Sequence, residues 1–277
     1  MQGALFSELN NQMVKYHFKP SHKFAQNFIV NEKLLQEIVS AAQLTKKDRV
    51  LEIGAGTGFL TRELLKHAGK IIAVEKDALL CGLLEEEFKG EKKLEIIKGN
   101  FLFEKLPEFN KVVSLPPYSI SSGIMLRLFE LGFEKAVLVF QREFVEKLVA
   151  EPGFVEYNAL SVLTTYFTEQ KILEKSISPN SFYPKPNSFS SLVVLDAKKR
   201  FGSVNDELFA DFLKQLFRLK NKNLSKALAK CFPFWKKNLK IGKEEFLETA
   251  NSLELAKEKV NRLECREFLE VFKQILQ

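Results

Sequence analysis

The chain has 277 residues, 45% hydrophobic and 28% charged, with 42 Lys and Arg against 35 Asp and Glu, a net charge of +7 and a pI near 9.1. This length suits a core domain plus a smaller one, and the composition excludes both a disordered chain and a fibrous one. No apolar run reaches the roughly 18 residues a membrane span needs, and the opening MQGALFSELNNQ lacks a basic start followed by an apolar stretch, so neither a span nor a secretory signal is expected and the cytoplasm is the expected location.

Residues 1–22 read as a basic leader, with Lys15 and Lys19 joined by Lys23 just beyond it. From about residue 49, short β-branched runs alternate with helical stretches: RVLEIG (49–54), KIIAVE (70–75), LEIIKG (94–99), KVVSLP (111–116) and KAVLVF (135–140). That alternation predicts an α/β domain with a mostly parallel sheet. FLTRELLKHAG (59–69) and SGIMLRLFELG (122–132) repeat apolar residues at helical spacing and end near glycine, which fits crossover helices. KILEKSI (171–177) and SSLVVLDA (190–197) read as two more strands joined by the turn-rich PNSFYPKPNSF. Beyond Lys198-Lys199-Arg200 the pattern is helical, and Gly202 offers a break, so we divide the chain at residue 200 into domains 23–200 and 201–277. Residues 212–243 hold 10 Lys or Arg and no acid, the strongest charge asymmetry in the chain. Such a stretch suits a polyanion.

LEIGAGTGFLT (51–61) sets Gly54, Gly56 and Gly58 between a predicted strand and a predicted helix, where glycines permit a tight turn and a close backbone approach to a ligand. A dinucleotide fingerprint would place its third glycine one residue later, where Phe59 stands. Glu75 ends the next strand about 20 residues on, positioned to accept bonds from ribose hydroxyls. Asn100, in GNFL (99–102), stands at the edge of the third strand, where its amide suits either an adenine edge or an ordinary turn. After the fourth strand, SLPPYSISS (114–122) stiffens the backbone with two prolines before Tyr118. The three cysteines (Cys81, Cys231, Cys265) and three histidines (His17, His22, His67) form no pair or cluster, so neither a disulfide framework nor a metal is expected. The 26 phenylalanines read as core filling.

Together with KFAQNFIVN (23–31), FQREF (140–144), FYPKPNSFS (182–190) and FRLKNKNLSKAL (217–228), these motifs resemble the KsgA-like rRNA adenine dimethyltransferases over residues 15–228. The resemblance implies a Rossmann-like class I methyltransferase sheet with helices on both faces, followed by a small all-helical domain. It further implies S-adenosyl-L-methionine as cofactor and dimethylation of an adenine exocyclic amine near the 3′ end of small-subunit rRNA. The partner would then be the immature small ribosomal subunit, bound by a monomeric enzyme.

Carried across residue by residue, the resemblance puts Asn27, Ile29, Gly54, Gly56, Glu75, Asn100 and Leu115 at the cofactor. Leu115, Pro116 and Tyr118 fall at the catalytic loop, Tyr118 and Phe182 at the target base, and Lys220, Lys222 and Lys226 on the RNA. Lys236 and Lys237 extend the same basic tract. A flipped base needs new stacking partners, and its amine, whose lone pair is delocalised into the ring, needs acceptors for its protons. Family members carry Asn-Leu-Pro-Tyr or a close relative at this loop. Here Leu115 holds the Asn position, leaving the Pro116 carbonyl and, if the loop shifts, Ser114. Asn100 stands for the usual Asp, and Ser188 and Phe189 for Val and Asp. Leu115 therefore keeps a second expectation open, an assembly factor that binds the same rRNA with little turnover. A third is an adenine methyltransferase acting on another nucleic acid, and tight NAD binding would favour an oxidoreductase.

Overall fold

The computed structural model describes residues 3–198, 204–237, 239 and 241–276. By its internal contacts the chain divides into two compact units, Met1–Val145 with Gln170–Ala197 and Glu146–Glu169 with Lys198–Gln277. In chain order the elements are α1 (Ala4–Lys15), β1 (Phe28–Ile29), α2 (Glu32–Ala41), β2 (Arg49–Ile53), α3 (Phe59–His67), β3 (Lys70–Glu75), α4 (Ala78–Glu87) and β4 (Leu94–Lys98). They continue with β5 (Lys111–Ser114), α5 (Ser121–Leu131), β6 (Lys135–Gln141), α6 (Arg142–Leu148), α7 (Ala159–Phe167), β7 (Thr168–Ile177), β8 (Phe182–Tyr183) and β9 (Ser190–Ala197). The second unit ends with α8 (Asp206–Phe217), α9 (Leu224–Trp235), α10 (Lys243–Ser252) and α11 (Cys265–Leu276).

The first unit is built on a seven-stranded sheet in the order β4-β3-β2-β5-β6-β9-β7. β2 runs parallel to β3 and β5, β3 to β4 and β5 to β6, while β9 returns antiparallel to β6. Helices cover the sheet, so its central strands need apolar side chains on both faces. Val50, Leu51, Ile71, Ile72 and Val137 are all fully buried. Side-chain caps fix the helix starts: Asn31 Oδ1 accepts the Leu34 N–H (3.2 Å) at α2, and Asp77 Oδ1 accepts the Leu79 N–H (3.0 Å) at α4.

The residues read as a basic leader contain a helix. Residues 4–15 are α1, which buries Leu5 and Leu9 in the core of the first unit. Its polar side chains reach the glycine-rich segment: Arg62 makes a two-pronged bond to Glu8 (2.6 and 2.9 Å), and Gln12 Nε2 donates to the Thr57 carbonyl (3.3 Å). The two-residue ladder of β1 with β8 pairs Phe28 with Tyr183 and Ile29 with Phe182, tying two motifs far apart in sequence.

The second unit is helical, and its core is aromatic: Phe209, Phe212, Trp235, Phe246, Phe268 and Phe272 are all buried. Phe209 and Phe272 meet edge to face at 5.2 Å. The division expected at residue 200 falls at 197–198, whereas the grouping of 146–169 with the helical unit is not anticipated by the sequence reading. α7 buries Val162, Leu163 and Tyr166 and packs against α8 and α11, a partnership that its own periodicity does not reveal. Lys199, Arg200 and Gly202, which mark the expected break, lie outside the described residues.

Candidate active site

The strand order reverses at β2, which has β3 on one side and β5 on the other. In open α/β sheets the loops leaving such a pair of strands diverge, and ligands bind in the crevice between them. A cavity occupies that crevice, lined by Asn27, Gly54, Gly56, Glu75, Asn100 and Leu115, with Pro116, Tyr118 and Phe182 also in its wall. Ile29 is the exception among the expected cofactor residues. It is buried in the core opposite Phe182 in the β1–β8 ladder and is not part of the cavity wall, whereas its neighbour Phe28 is.

The floor of the cavity is the turn after β2. Gly54 (φ +76°) and Gly56 (φ +59°) adopt left-handed conformations, and a Cβ on Gly56 would meet Phe28 at 3.3 Å. The turn is held by Glu75, whose Oε2 accepts the Gly56 N–H (2.9 Å) while Oε1 accepts those of Lys76 and Asp77 (both 2.8 Å). Burial raises the Glu75 carboxyl above the usual range, and the three backbone donors pull it the other way. Beneath the turn, Glu52 is 1% exposed and accepts the Thr61 hydroxyl at 2.6 Å. Burial pushes Glu52 up to about 8, the Thr61 bond opposing the shift and the charge of Glu75 adding to it. The sequence reading passes over Glu52, although an acid inside the apolar run LEIG is its visible sign.

Asn100 forms the third side. Its Oδ1 accepts the Leu102 N–H (3.1 Å), a turn that leaves the amide Nδ2 available to a ligand. The fourth side is the segment Lys23–Phe28, where Ala25 sits at φ +51° and its carbonyl accepts Asn27 Nδ2 at 3.2 Å. Gln26, which the sequence reading does not single out, holds this segment in place. Its Oε1 accepts the Ser21 N–H and its Nε2 donates to Asp77 Oδ2, both at 2.7 Å. Its position beside Asn27 in KFAQNF is the signal that could have flagged it.

A second cavity adjoins the first and shares Ala25, Gln26, Asn27, Tyr118 and Ser119 with it. Its outer wall is Gln141, Pro184 and Pro186, so the FQREF and FYPKPNSFS segments meet the proline loop there. The Tyr118 hydroxyl bonds Ser190 Oγ at 2.8 Å, and burial pushes it up to about 12. Leu115 packs partly against the core. Ser114, the fallback acceptor, is fully buried; its Oγ donates to the Ile53 carbonyl (2.6 Å) and accepts the Ile53 N–H (3.3 Å), so it has no oxygen to offer the cavity. Phe182 is 2% exposed and belongs to the core while also touching the first cavity.

In the second unit, Lys222 and Lys226 are exposed and make no ion pair among the described residues, and Lys236 and Lys237 are exposed as well. Lys220 differs, because its ammonium donates to the Val155 carbonyl at 2.8 Å. The described residues contain no cluster of three or more His, Cys, Asp or Glu suited to a metal, and no described helix is long and apolar enough to cross a membrane.

Residues 17–272 match the family model described as ribosomal RNA adenine dimethylase. The chain is 39% identical over 260 residues to a probable ribosomal RNA small subunit methyltransferase A of Pyrococcus furiosus, covering 93% of this chain and 92% of the other. It is 35% identical over 271 residues to the protein of the same description in Thermococcus gammatolerans, covering 98% and 93%. Among solved structures it resembles a dimethyladenosine transferase from Plasmodium falciparum, with TM-score 0.80 and 26% identity over 89% of this chain and 96% of that one. It also resembles the 23S rRNA methyltransferase ErmE, with TM-score 0.66 and 25% identity over 91% and 100%.

Proposed function

This chain belongs to the ribosomal RNA adenine dimethylase family, and from that premise we propose that it uses S-adenosylmethionine to dimethylate the exocyclic amine of adenine near the 3′ end of small-subunit rRNA during ribosome biogenesis. The observation that carries this reading is the convergence of the glycine turn, Glu75 and the proline loop on one cavity at the strand-order switch, with a second cavity sharing its wall. The lining suits a nucleoside with an amino-acid tail. A buried carboxylate can take ribose hydroxyls, the Asn100 amide can bond an adenine edge, and bare glycine backbone allows close approach.

When bound, S-adenosylmethionine supplies an electrophilic methyl group on its sulfonium. This chain's residues then have to orient the amine and localise its lone pair. In our reading the Tyr118 ring stacks on the extruded base in the second cavity. Its hydroxyl stays protonated at neutral pH and bonded to Ser190, so Tyr118 contributes a face and not a base. The Pro116 carbonyl accepts one amine proton. The other faces Leu115, which accepts none, and Ser114 cannot substitute because both of its bonds go to Ile53. Asn27, at the wall common to both cavities, fixes the cofactor end, and Lys222 and Lys226 bind RNA phosphates.

Leu115 favours a slower enzyme over a non-enzymatic assembly factor, because it removes one acceptor and leaves the rest of the cavity intact. The family assignment disfavours the readings as an oxidoreductase and as a methyltransferase of another nucleic acid. We further infer a monomer acting in the cytoplasm, as the family resemblance implies. The test is incubation of the purified protein with labelled S-adenosylmethionine and immature small subunits, followed by mass spectrometry of the rRNA. Dimethyladenine is the expected product, and rRNA without methyladenine overturns the reading.

A further inference from the structure

The loop between α6 and α7 exposes two neighbouring apolar side chains, Phe154 at 61% and Val155 at 81%. Most phenylalanines of the helical unit are in its core, so an outward Phe beside an outward Val is an exception to its packing. The loop is nonetheless firmly held. The Gly153 N–H donates to the Asn261 carbonyl (2.7 Å), and the Lys220 ammonium to the Val155 carbonyl (2.8 Å). Tyr157, 3% exposed, donates from its hydroxyl to the Leu263 carbonyl (2.8 Å) and meets Phe217 edge to face at 5.5 Å. A fixed apolar surface on an otherwise satisfied loop has no folding role that these bonds do not already fill.

Two anchors of this loop, Lys220 and Phe217, belong to the basic segment, and a third, Asn261, is bonded to it. The Asn261 N–H donates to the Lys220 carbonyl (2.9 Å), linking Gly153 through Asn261 to Lys220, and the neighbouring Val260 N–H donates to the Lys222 carbonyl (3.1 Å). Lys222, Lys259 and Arg262 are exposed on these same segments, and Lys147 at the end of α6. Over residues 146–158, 217–223 and 257–264 the basic side chains, with Arg218, Lys220 and Lys257 added, number seven against five acids (Glu146, Glu151, Glu156, Glu258 and Glu264), and 217–223 holds no acid at all. An aromatic face among cations is the arrangement that binds unpaired nucleotides, the cations taking phosphate and the ring taking a base.

We propose that Phe154, flanked by Val155, is a stacking site for an unpaired nucleotide of structured RNA, with Lys222 taking the adjoining phosphate. This rests on the RNA-methyltransferase reading and adds to it a contact that none of the family motifs contains. The occupant is RNA and not an apolar protein face, because Val155 is hydrogen-bonded by Lys220 of the acid-free segment 217–223, on which Lys222 is exposed and in no ion pair among the described residues, an arrangement that attracts phosphate.

The full chain and its Phe154→Ala and Phe154→Trp forms would be titrated with an RNA hairpin carrying 2-aminopurine in its loop, at several salt concentrations. The cofactor affinity of each form and its methyl transfer to immature small subunits would be measured in parallel. Phe154→Ala should weaken hairpin binding about 5- to 150-fold, the range of one lost base stack. The slope of log Kd against log salt and the cofactor affinity should not change. Phe154→Trp should restore binding, and its emission should be quenched by RNA, which is readable because the chain's one native tryptophan, Trp235, is 1% exposed. Parent-like hairpin affinity in Phe154→Ala overturns the proposal. Failure of the parent to methylate small subunits would instead count against the enzyme reading, so the two failures are separable.

Discussion

A methyl group on Gly54 would come within 3.3 Å of Cδ of Pro117, so the turn after β2 and the proline loop after β5 touch at a point where neither can yield easily. Gly54 also lies at φ +76°, where an L side chain is strained. The two loops that form the cavity are therefore fitted to each other before any ligand arrives.

Gly54→Ala should raise the Kd for S-adenosylmethionine by about tenfold or more and lower stability by about 1 kcal/mol. Isothermal titration and a urea melt read the two effects. A parent-like Kd would show that the turn is free to move.

Leu115→Asn should raise kcat, with about 100- to 1,000-fold as the ceiling set by restoring one preorganised polar partner. KM for the rRNA should change little, because the side chain acts on the amine and not on the RNA backbone. Single-turnover methyl transfer measures this, and an unchanged kcat would show that the Pro116 carbonyl suffices.

Glu52 gives a pH dependence with a definite sign. Its folded pKa, about 8, lies above that of an unfolded glutamate, so the folded chain holds the extra proton between roughly pH 4.5 and 8. Stability should fall as pH rises through that window, by at most about 1.4 kcal/mol per pH unit from this group. Glu75, also raised, acts in the same direction, while Asp48, Glu63 and Glu87 are lowered and act in the acid range. Glu52→Gln should flatten the curve between pH 5 and 8, and thermal melts across that range decide it. Parallel curves for the two proteins would remove Glu52 from the account.

Lys222→Ala and Lys226→Ala should each weaken RNA binding and reduce the slope of log affinity against log salt by about 0.7 to 0.9. Lys220→Ala should also loosen the 150–157 loop, because its ammonium bonds the Val155 carbonyl. Filter binding between low and moderate salt, with hydrogen exchange at residues 153–157, separates the two roles.

Five parallel strands, the glycine turn and Glu75 are legible because β-branched runs and local spacing encode them. The cavity wall supplied by Lys23–Phe28 is legible only through its motif, since its hold on Asp77 through Gln26 spans 51 residues. Ser114 shows why resemblance alone is insufficient. Whether its oxygen is free depends on a neighbouring strand, and the Ile53 partner is invisible until β2 and β5 are paired. Likewise, α7 is not singled out by the sequence reading, and its partners, α8 and α11, appear only once the chain is folded.

The family match starts at residue 17, two positions past the end of α1. Trimming the gene to the residues matched by the family model would discard Glu8 and Gln12, and with them the strut behind Thr57 and Arg62. A shortened protein would keep every motif yet grip its methyl donor loosely, and the defect would be misread as poor catalysis.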